Sequence, residues 1–464
     1  MAKKNRAVLR MVKALAAVLA TIPFGICWFE FYAMGLFMQP FYYKGNYYVI
    51  FLFLFFYCLF ARVYDAFLVS INKLSEMVYS QMLSLFLADG VMYLVTCLLF
   101  RRLPNPLPLA GCFAVQAGWA ALWSITARSW YFKTFPPKKT AIIYEINADM
   151  ETLIEDYGLS KKFDVVLKCQ INDCLASDFA PIRENNIEVI YMRDVRSHER
   201  NKVLKYCIRN GVTAYVVPRV GDMIMTHAKK MHMFHLPILR VERDHPDFEY
   251  YLIKRTFDIL VSGTALFVFL PLIAVTGVAI KLCDGGPIIY SQMRMTKDGR
   301  EFRIFKFRSM RVDAEDKQAI LSSGDQDDRI TSVGRVIRKI RFDEIPQLIN
   351  VLKGDMSIVG PRPERPEIAR EYERVMPEFS LRLQVKAGLT GYAQVYGKYN
   401  TSPYDKLQMD LMYIANQGIF QDIGICFATV KILFMSESTE GFGVGYTTVM
   451  NSENSTNNTE KIAK

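Results

Sequence analysis

Residues 341–363 read RFDEIPQLINVLKGDMSIVGPRP and hold side-chain types suited to handling phosphate. Asp343 and Glu344 are adjacent acids just before Pro346, and Arg362 stands between Pro361 and Pro363. Neighbouring carboxylates repel, so a chain that keeps them together supplies a cation, an arginine or a proton to share. The same stretch also reads as the exposed first turn of a helix, where acids favour the dipole and proline is tolerated. All five histidines (His198, His227, His232, His235, His245) precede residue 250. Chemistry after that point must therefore use carboxylates, arginines and lysines.

The elements around this stretch begin with membrane. Of 464 residues, 51% are hydrophobic and 13% aromatic, more than a soluble chain of this size needs. The excess gathers at 11–33, 48–64, 80–100 and 107–130, each near the roughly 20 apolar residues that cross a hydrocarbon core. No small-residue cleavage site follows the first run, so it reads as an anchor rather than a signal peptide. Lys3, Lys4, Arg6, Arg10 and Lys13 precede the first run, and Lys133, Lys138 and Lys139 follow the fourth. The positive-inside rule then puts both ends in the cytoplasm, against the weaker pull of Arg101 and Arg102. Nine cysteines without recurring spacing fit reduced thiols, and the Asn-x-Ser/Thr triplets at Asn400, Asn454 and Asn457 read as chance.

Residues 139–245 change character. The apolar stretches 141–146, 163–168, 187–192, 213–219 and 236–241 alternate with polar segments, predicting a doubly wound, Rossmann-like parallel sheet. The turn after the first strand, EINADMETL, has no glycine, so a pyrophosphate could not approach its backbone. An assembly or regulatory module is the expectation. The H-x-x-H at 232–235 reads as surface histidines rather than a metal site.

A fifth apolar run, KRTFDILVSGTALFVFLPLIAVTGVAIKL (254–282), is broken by Pro271 and flanked by basic residues at both ends. A hairpin that enters and leaves by one leaflet satisfies both features; a kinked fifth spanning helix is the alternative. Next come Arg294, Lys297, Arg300, Arg303, Lys306, Arg308 and Arg311, faced only by Asp298 and Glu301. This basic strip suits anionic lipid head groups and phosphorylated substrates. Nucleic acid is not expected as a partner despite the net charge of +11, because no stacking platform is interleaved.

The order K-R-x-x-D, GP-x-x-Y-x-Q-x-R, F-K-F-R-S-M, D-E-x-P-Q-L-x-N-V-L-K-G-D-M-S-x-V-G-P-R-P and A-G-L-T-G-Y-A-Q-V over 250–440 resembles the bacterial sugar transferases. These are monotopic phosphoglycosyl transferases acting on polyprenyl phosphate. The N-terminal half is similar to the large members of that family. The resemblance implies Asp343 as nucleophile on a UDP-sugar, Glu344 as ligand of a required Mg2+, and Arg362 and Arg338 as phosphate binders, with undecaprenyl phosphate as acceptor. Gly354 and Gly360 would let the intervening turns bend. The acids at 313–328 read as solvated faces, 403–414 and 418–435 as helices near the membrane surface, and the tail as polar.

The expected architecture is a membrane protein of mixed α and α/β class. It has four transmembrane helices in 1–135, a Rossmann-like domain in 139–245, a mainly helical catalytic domain in 250–440 with a re-entrant helix at 254–282, and a tail at 441–464. The expected function is transfer of a hexose 1-phosphate to undecaprenyl phosphate at the cytoplasmic face of the bacterial inner membrane, starting exopolysaccharide, capsule or O-antigen assembly. Galactose or glucose is favoured by overall likeness. A direct ternary-complex transfer and a non-catalytic scaffold are the alternatives. A middle domain without phosphate-binding glycines still offers a surface, so a homodimer is expected, along with contacts to membrane lipids.

Overall fold

The computed structural model describes residues 2–33, 44–145, 150–226, 228–243, 248–311, 329–397 and 401–433. The tail 441–464, the acidic run at 313–328, His227, His245, Asn400, Asn454, Asn457 and residues 146–149 of the glycine-free turn lie outside these residues. The chain forms two compact units, Met1–Val217 and Pro218–Lys464.

In the first unit, α1 (Ala2–Cys27), α2 (Lys44–Val63), α3 (Leu74–Phe100) and α4 (Leu107–Thr134) cover the four predicted runs. A π-helical turn, Trp28–Ala33, extends α1. With Phe248–Asp284 they are five helices long and apolar enough to cross a membrane. Each of α1 and α3 touches both α2 and α4. Four parallel strands follow, β1 (Lys138–Tyr144), β2 (Phe163–Gln170), β3 (Val189–Arg193) and β4 (Thr213–Val216), in the order β2-β1-β3-β4. Ala141, Ile142 and Ile143 of the inner strand β1 are fully buried, because helices on both faces leave such a strand no solvated side. Those helices are α5 (Met150–Asp156), α6 (Ile171–Ala176), α7 (Ala180–Glu184) and α8 (Ser197–Asn210).

The predicted fifth strand does not join this sheet. In the second unit, after α9 (Val220–Thr226), β6 (Leu236–Arg240) pairs antiparallel with β5 (Lys229–Met233). Its apolar residues suggested a strand of the parallel sheet, but its partner is the stretch KKMHM, and most of the hairpin is exposed.

The long helix α10 (Phe248–Asp284) contains Pro271 and grips the rest of the second unit at both ends. At its start, Lys254 Nζ donates to Val359 O (3.1 Å) and to Asp422 Oδ2 (2.7 Å). Arg255 donates to the carbonyls of Val351 and Leu352, and Asp258 Oδ1 accepts from Ser357 Oγ and the Ile358 amide. The K-R-x-x-D pattern is thus three separate clasps. At its other end Ile280 packs with Phe307, Ile337 and Phe342, and Asp284 pairs with Arg308. Between them Phe267, Val268 and Leu270 are exposed.

The remainder is mainly helical around small sheets. β7 (Ile289–Met295) and β8 (Glu301–Phe307) form an antiparallel hairpin, followed by α11 (Ser332–Lys339) and α12 (Gln347–Lys353). β9 (Met356–Val359) lies parallel to β10 (Ala387–Thr390), with α13 (Pro366–Val375) between them in the chain. α14 (Tyr392–Tyr396), α15 (Pro403–Ala415) and α16 (Ile419–Leu433) complete the unit. Ser402 caps α15 by accepting from the Asp405 amide. That helix buries Leu407, Leu411, Tyr413 and Ile414 in a core shared with Val351 and Met356.

Candidate active site

Thr331 starts α11 by accepting from the Gly334 amide, and the helix lasts eight residues. Arg341 then takes a left-handed conformation, φ 53°, so the chain turns sharply into a single 3₁₀ turn, Phe342–Glu344. A non-glycine residue there stores strain that the surroundings must hold. Phe342 does so: it is buried, stacks on Phe307 (centroids 6.0 Å) and meets Phe269 of α10 edge-on (6.0 Å).

Asp343 and Glu344 follow directly. Glu344 Oε1 accepts from Lys306 Nζ and from Arg362 Nη2, each at 3.0 Å, and its side chain is 15% exposed. Burial alone would push the Glu344 carboxyl up, but Lys306 and Arg362 hold it well below the ordinary carboxylate range. Asp343 moves the other way: burial and then the neighbouring charge of Glu344 raise it, against the pull of Lys306, Arg338 and Arg362. The two adjacent acids therefore have distinct electrostatic settings, one clamped as an anion and one kept basic. Neither caps α12, whose cap residue Pro346 makes no side-chain hydrogen bond, so the reading as an ordinary helix start fails.

The structure brings Asp343, Glu344, Arg338 and Arg362 together. Arg338 acts on Asp343 from the last turn of α11, across the left-handed Arg341 that separates that helix from the 3₁₀ turn. Pro271 is two residues from Phe269, the side chain that touches Phe342. Arg362 is positioned through its backbone. The Gly360 amide donates to Thr390 O, the Gly388 amide to Pro361 O, and Arg382 Nη2 to Arg362 O, all at 2.9 Å. A Cβ on Gly360 would lie 2.3 Å from Lys386 O, so this glycine permits close strand approach, whereas Gly354, at φ +90°, ends α12.

Three contributors escaped the sequence reading. Lys306 was one of seven basic residues in a strip; what singles it out is Asn350, which accepts from the Phe305 amide and donates to Arg303 O, fixing β8 beside α12. Arg382, buried, pairs with Asp410 at 2.7 Å and with Glu364 at 3.7 Å. Burial pushes Asp410 up to about 6 although Arg382 opposes it. The third is Asp422, which binds Lys254, Tyr413 and Tyr250. Isolated residues such as these carry no local signal.

Among the described residues no group of three or more His, Cys, Asp or Glu side chains is arranged for a metal ion. A magnesium ion needs only one or two carboxylates when substrate phosphates supply its other ligands, and the Asp343–Glu344 pair fits that donor set.

The sequence model of the family described as bacterial sugar transferase matches residues 249–436. A UDP-N-acetylgalactosamine-undecaprenyl-phosphate N-acetylgalactosaminephosphotransferase from Aeromonas hydrophila is 35% identical over 57% of this chain and 62% of its own length. A UDP-glucose:undecaprenyl-phosphate glucose-1-phosphate transferase from Escherichia coli K12 is 34% identical over 48% of this chain and 49% of its own. The match thus spans less than two thirds of either relative. An exopolysaccharide production protein from Rhizobium leguminosarum is 37% identical over 41% of this chain and 98% of its own length.

Proposed function

Because the chain belongs to the bacterial sugar transferase family, we propose that it moves a hexose 1-phosphate from a UDP-sugar to undecaprenyl phosphate and releases UMP. The observation that carries this reading is the convergence of Lys306, Arg362 and Arg338 on an acid pair whose members are driven apart in basicity. In the proposed reaction an oxygen of ionised Asp343 attacks the β-phosphorus. A P–O bond forms, the bond from that phosphorus to the bridging oxygen breaks, and UMP leaves with the electron pair. An oxygen of undecaprenyl phosphate then attacks the same phosphorus, forming the lipid diphosphate and restoring the Asp343 carboxylate. Arg362 and Arg338 bind phosphate oxygens and offset charge as it develops. Glu344 would hold Mg2+, which neutralises diphosphate charge when bound.

Both clasps of α10 belong to one folded unit, which cannot lie on two sides of a bilayer. This supports a helix that enters and leaves by the same leaflet, bent at Pro271, with the catalytic unit at the cytoplasmic face of the inner membrane. The relatives' names divide between N-acetylgalactosamine and glucose, so donor sugar is a matter for assay; galactose or glucose remains our expectation. We keep the homodimer as part of the proposal, joined through the four-helix part and the middle domain.

The deciding experiment is mass spectrometry of full-length enzyme given UDP-sugar without acceptor. A phosphosugar adduct on Asp343 supports the two-step path; turnover with no adduct supports direct ternary-complex transfer. Retained transfer in Asp343→Asn would remove the assignment, and absence of transfer from every UDP-sugar would leave the scaffold reading.

A further inference from the structure

Helices α1 and α2 are pressed together at one level and stand apart at another. Where Phe24 stacks on Phe53 at 4.3 Å and Gly25 lies 3.5 Å, at a built Cβ, from Ile50, the pair is closed. Nearer the N-terminus of α1, the side chains in the gap are Ala14 and Ala17 with Cys58 and Ala61 of α2. They are short, and a cavity of about 340 Å³ remains. That volume is in the range of small-molecule sites. Phe67 and Leu68, in the turn after α2, complete its apolar lining, and Lys13, Arg62 and Asp65 supply charge.

We propose that this cavity seats the phosphate-bearing head of an anionic membrane lipid, with an acyl chain lying against the alanines. The level is right for it. Lys13 is six residues into the span Ala7–Ala33, and Arg62 is the penultimate residue of α2, so both cations mark the same end of an antiparallel pair. At such a boundary long basic side chains reach up to head-group phosphates while their stems stay in hydrocarbon. Two cations stand against the single carboxylate of Asp65, which favours an anion over a cationic head. Nearby Met11, Leu15 and Val18 of α1 and Leu59 of α2 are exposed and apolar, the kind of surface a lipid tail covers. A free hydrophilic anion would gain nothing from that wall. The inference does not rest on the transfer chemistry, only on the chain's being embedded in a membrane.

The test is native mass spectrometry of the full chain, released from detergent and titrated with phosphatidylglycerol, diacylglycerol or inorganic phosphate. Phosphatidylglycerol is expected to stay bound, and the double variant Lys13→Gln/Arg62→Gln to weaken it about tenfold or more. Ala17→Leu, which fills the cavity and leaves both charges, is expected to weaken it as well. Unchanged sugar transfer in these variants shows that the chain still folds. Binding of diacylglycerol as tight as that of phosphatidylglycerol would overturn the proposal by removing the phosphate from recognition. Displacement of the lipid by millimolar inorganic phosphate would overturn it in favour of a free-anion site. Equal lipid retention by wild type and both variants would overturn it outright.

Discussion

The guanidinium of Arg382 donates to the main-chain carbonyl of Arg362 at 2.9 Å, so one buried arginine sets the backbone of another whose side chain is 45% exposed. Arg382 is itself held by Asp410, 1% exposed. Arg382→Ala leaves Asp410 buried without its cation, which costs about 3–5 kcal/mol. Thermal melts of the purified chain should show that loss. Arg382→Lys, which keeps the charge but not the fork, is expected to recover part of the stability while kcat stays low; a kcat equal to that of wild type in this variant would show that Arg362 needs no such support.

Asp343 is raised above the ordinary aspartate value, so as an anion at neutral pH it costs the fold stability. Asp343→Asn is expected to lower transfer by about 10⁴-fold or more while raising the melting temperature at pH 7. The gain in melting temperature should shrink as pH falls and wild-type Asp343 takes up its proton. A melting temperature that drops in Asp343→Asn at pH 7 would instead assign this carboxylate a supporting role.

Lys306 lowers both acids, so Lys306→Met should move the acidic limb of the pH–rate profile to higher pH, because Asp343 then loses its proton less readily. Stability moves with the opposite group. Glu344 is depressed from 4.5, so its contribution is fully present above about that pH and is lost as pH falls through the lowered folded value. The melting temperatures of wild type and Lys306→Met should differ most near neutrality and converge in strong acid. Parallel melting curves at every pH would contradict the pairing.

Lys254 and Asp422 are 13% and 6% exposed, and each single substitution strands the other. Lys254→Met and Asp422→Asn should each destabilise by about 3–5 kcal/mol, and the double variant by clearly less than their sum. A double-mutant cycle on the solubilised chain reads the coupling; additivity would mean the pair is only incidental.

Gly360→Ala places a methyl 2.3 Å from Lys386 O, a backbone atom that cannot swing aside. The β9–β10 pair must part, carrying Pro361 and Arg362 with it. The expected outcome is a fall in kcat of about 10²-fold with every polar site residue still present, measured by UMP release.

The acid pair and Arg362 were legible because their signal is local: neighbouring carboxylates and flanking prolines need no partner to be noticed. Membrane runs announced themselves by length. Lys306 and Arg382 were not legible, since a lysine in a basic strip or an arginine in a polar turn gains meaning only from what the fold puts opposite it, here Glu344 and Asp410. The stretch 236–240 misled for a related reason. Its own residues look like one more strand of the parallel sheet, yet pairing belongs to two segments, and the second, 229–233, has no apolar pattern. Arg338 came from the resemblance; the left-handed Arg341 that separates its helix from the turn of Asp343 has no mark in the sequence.

Phe342, the residue before the proposed nucleophile, rests edge-on against Phe269, a side chain of α10, the helix we propose to enter the bilayer. A shift of that helix therefore reaches the residue beside Asp343 directly, through this pair of rings and through Ile280, which packs with Phe342 as well. Lipid thickness, which is matched by tilt or depth of a buried helix, becomes a variable of the chemistry itself. Turnover in vesicles of graded acyl length should pass through an optimum, and the proposed transferase would then act as a gauge of the bilayer around it.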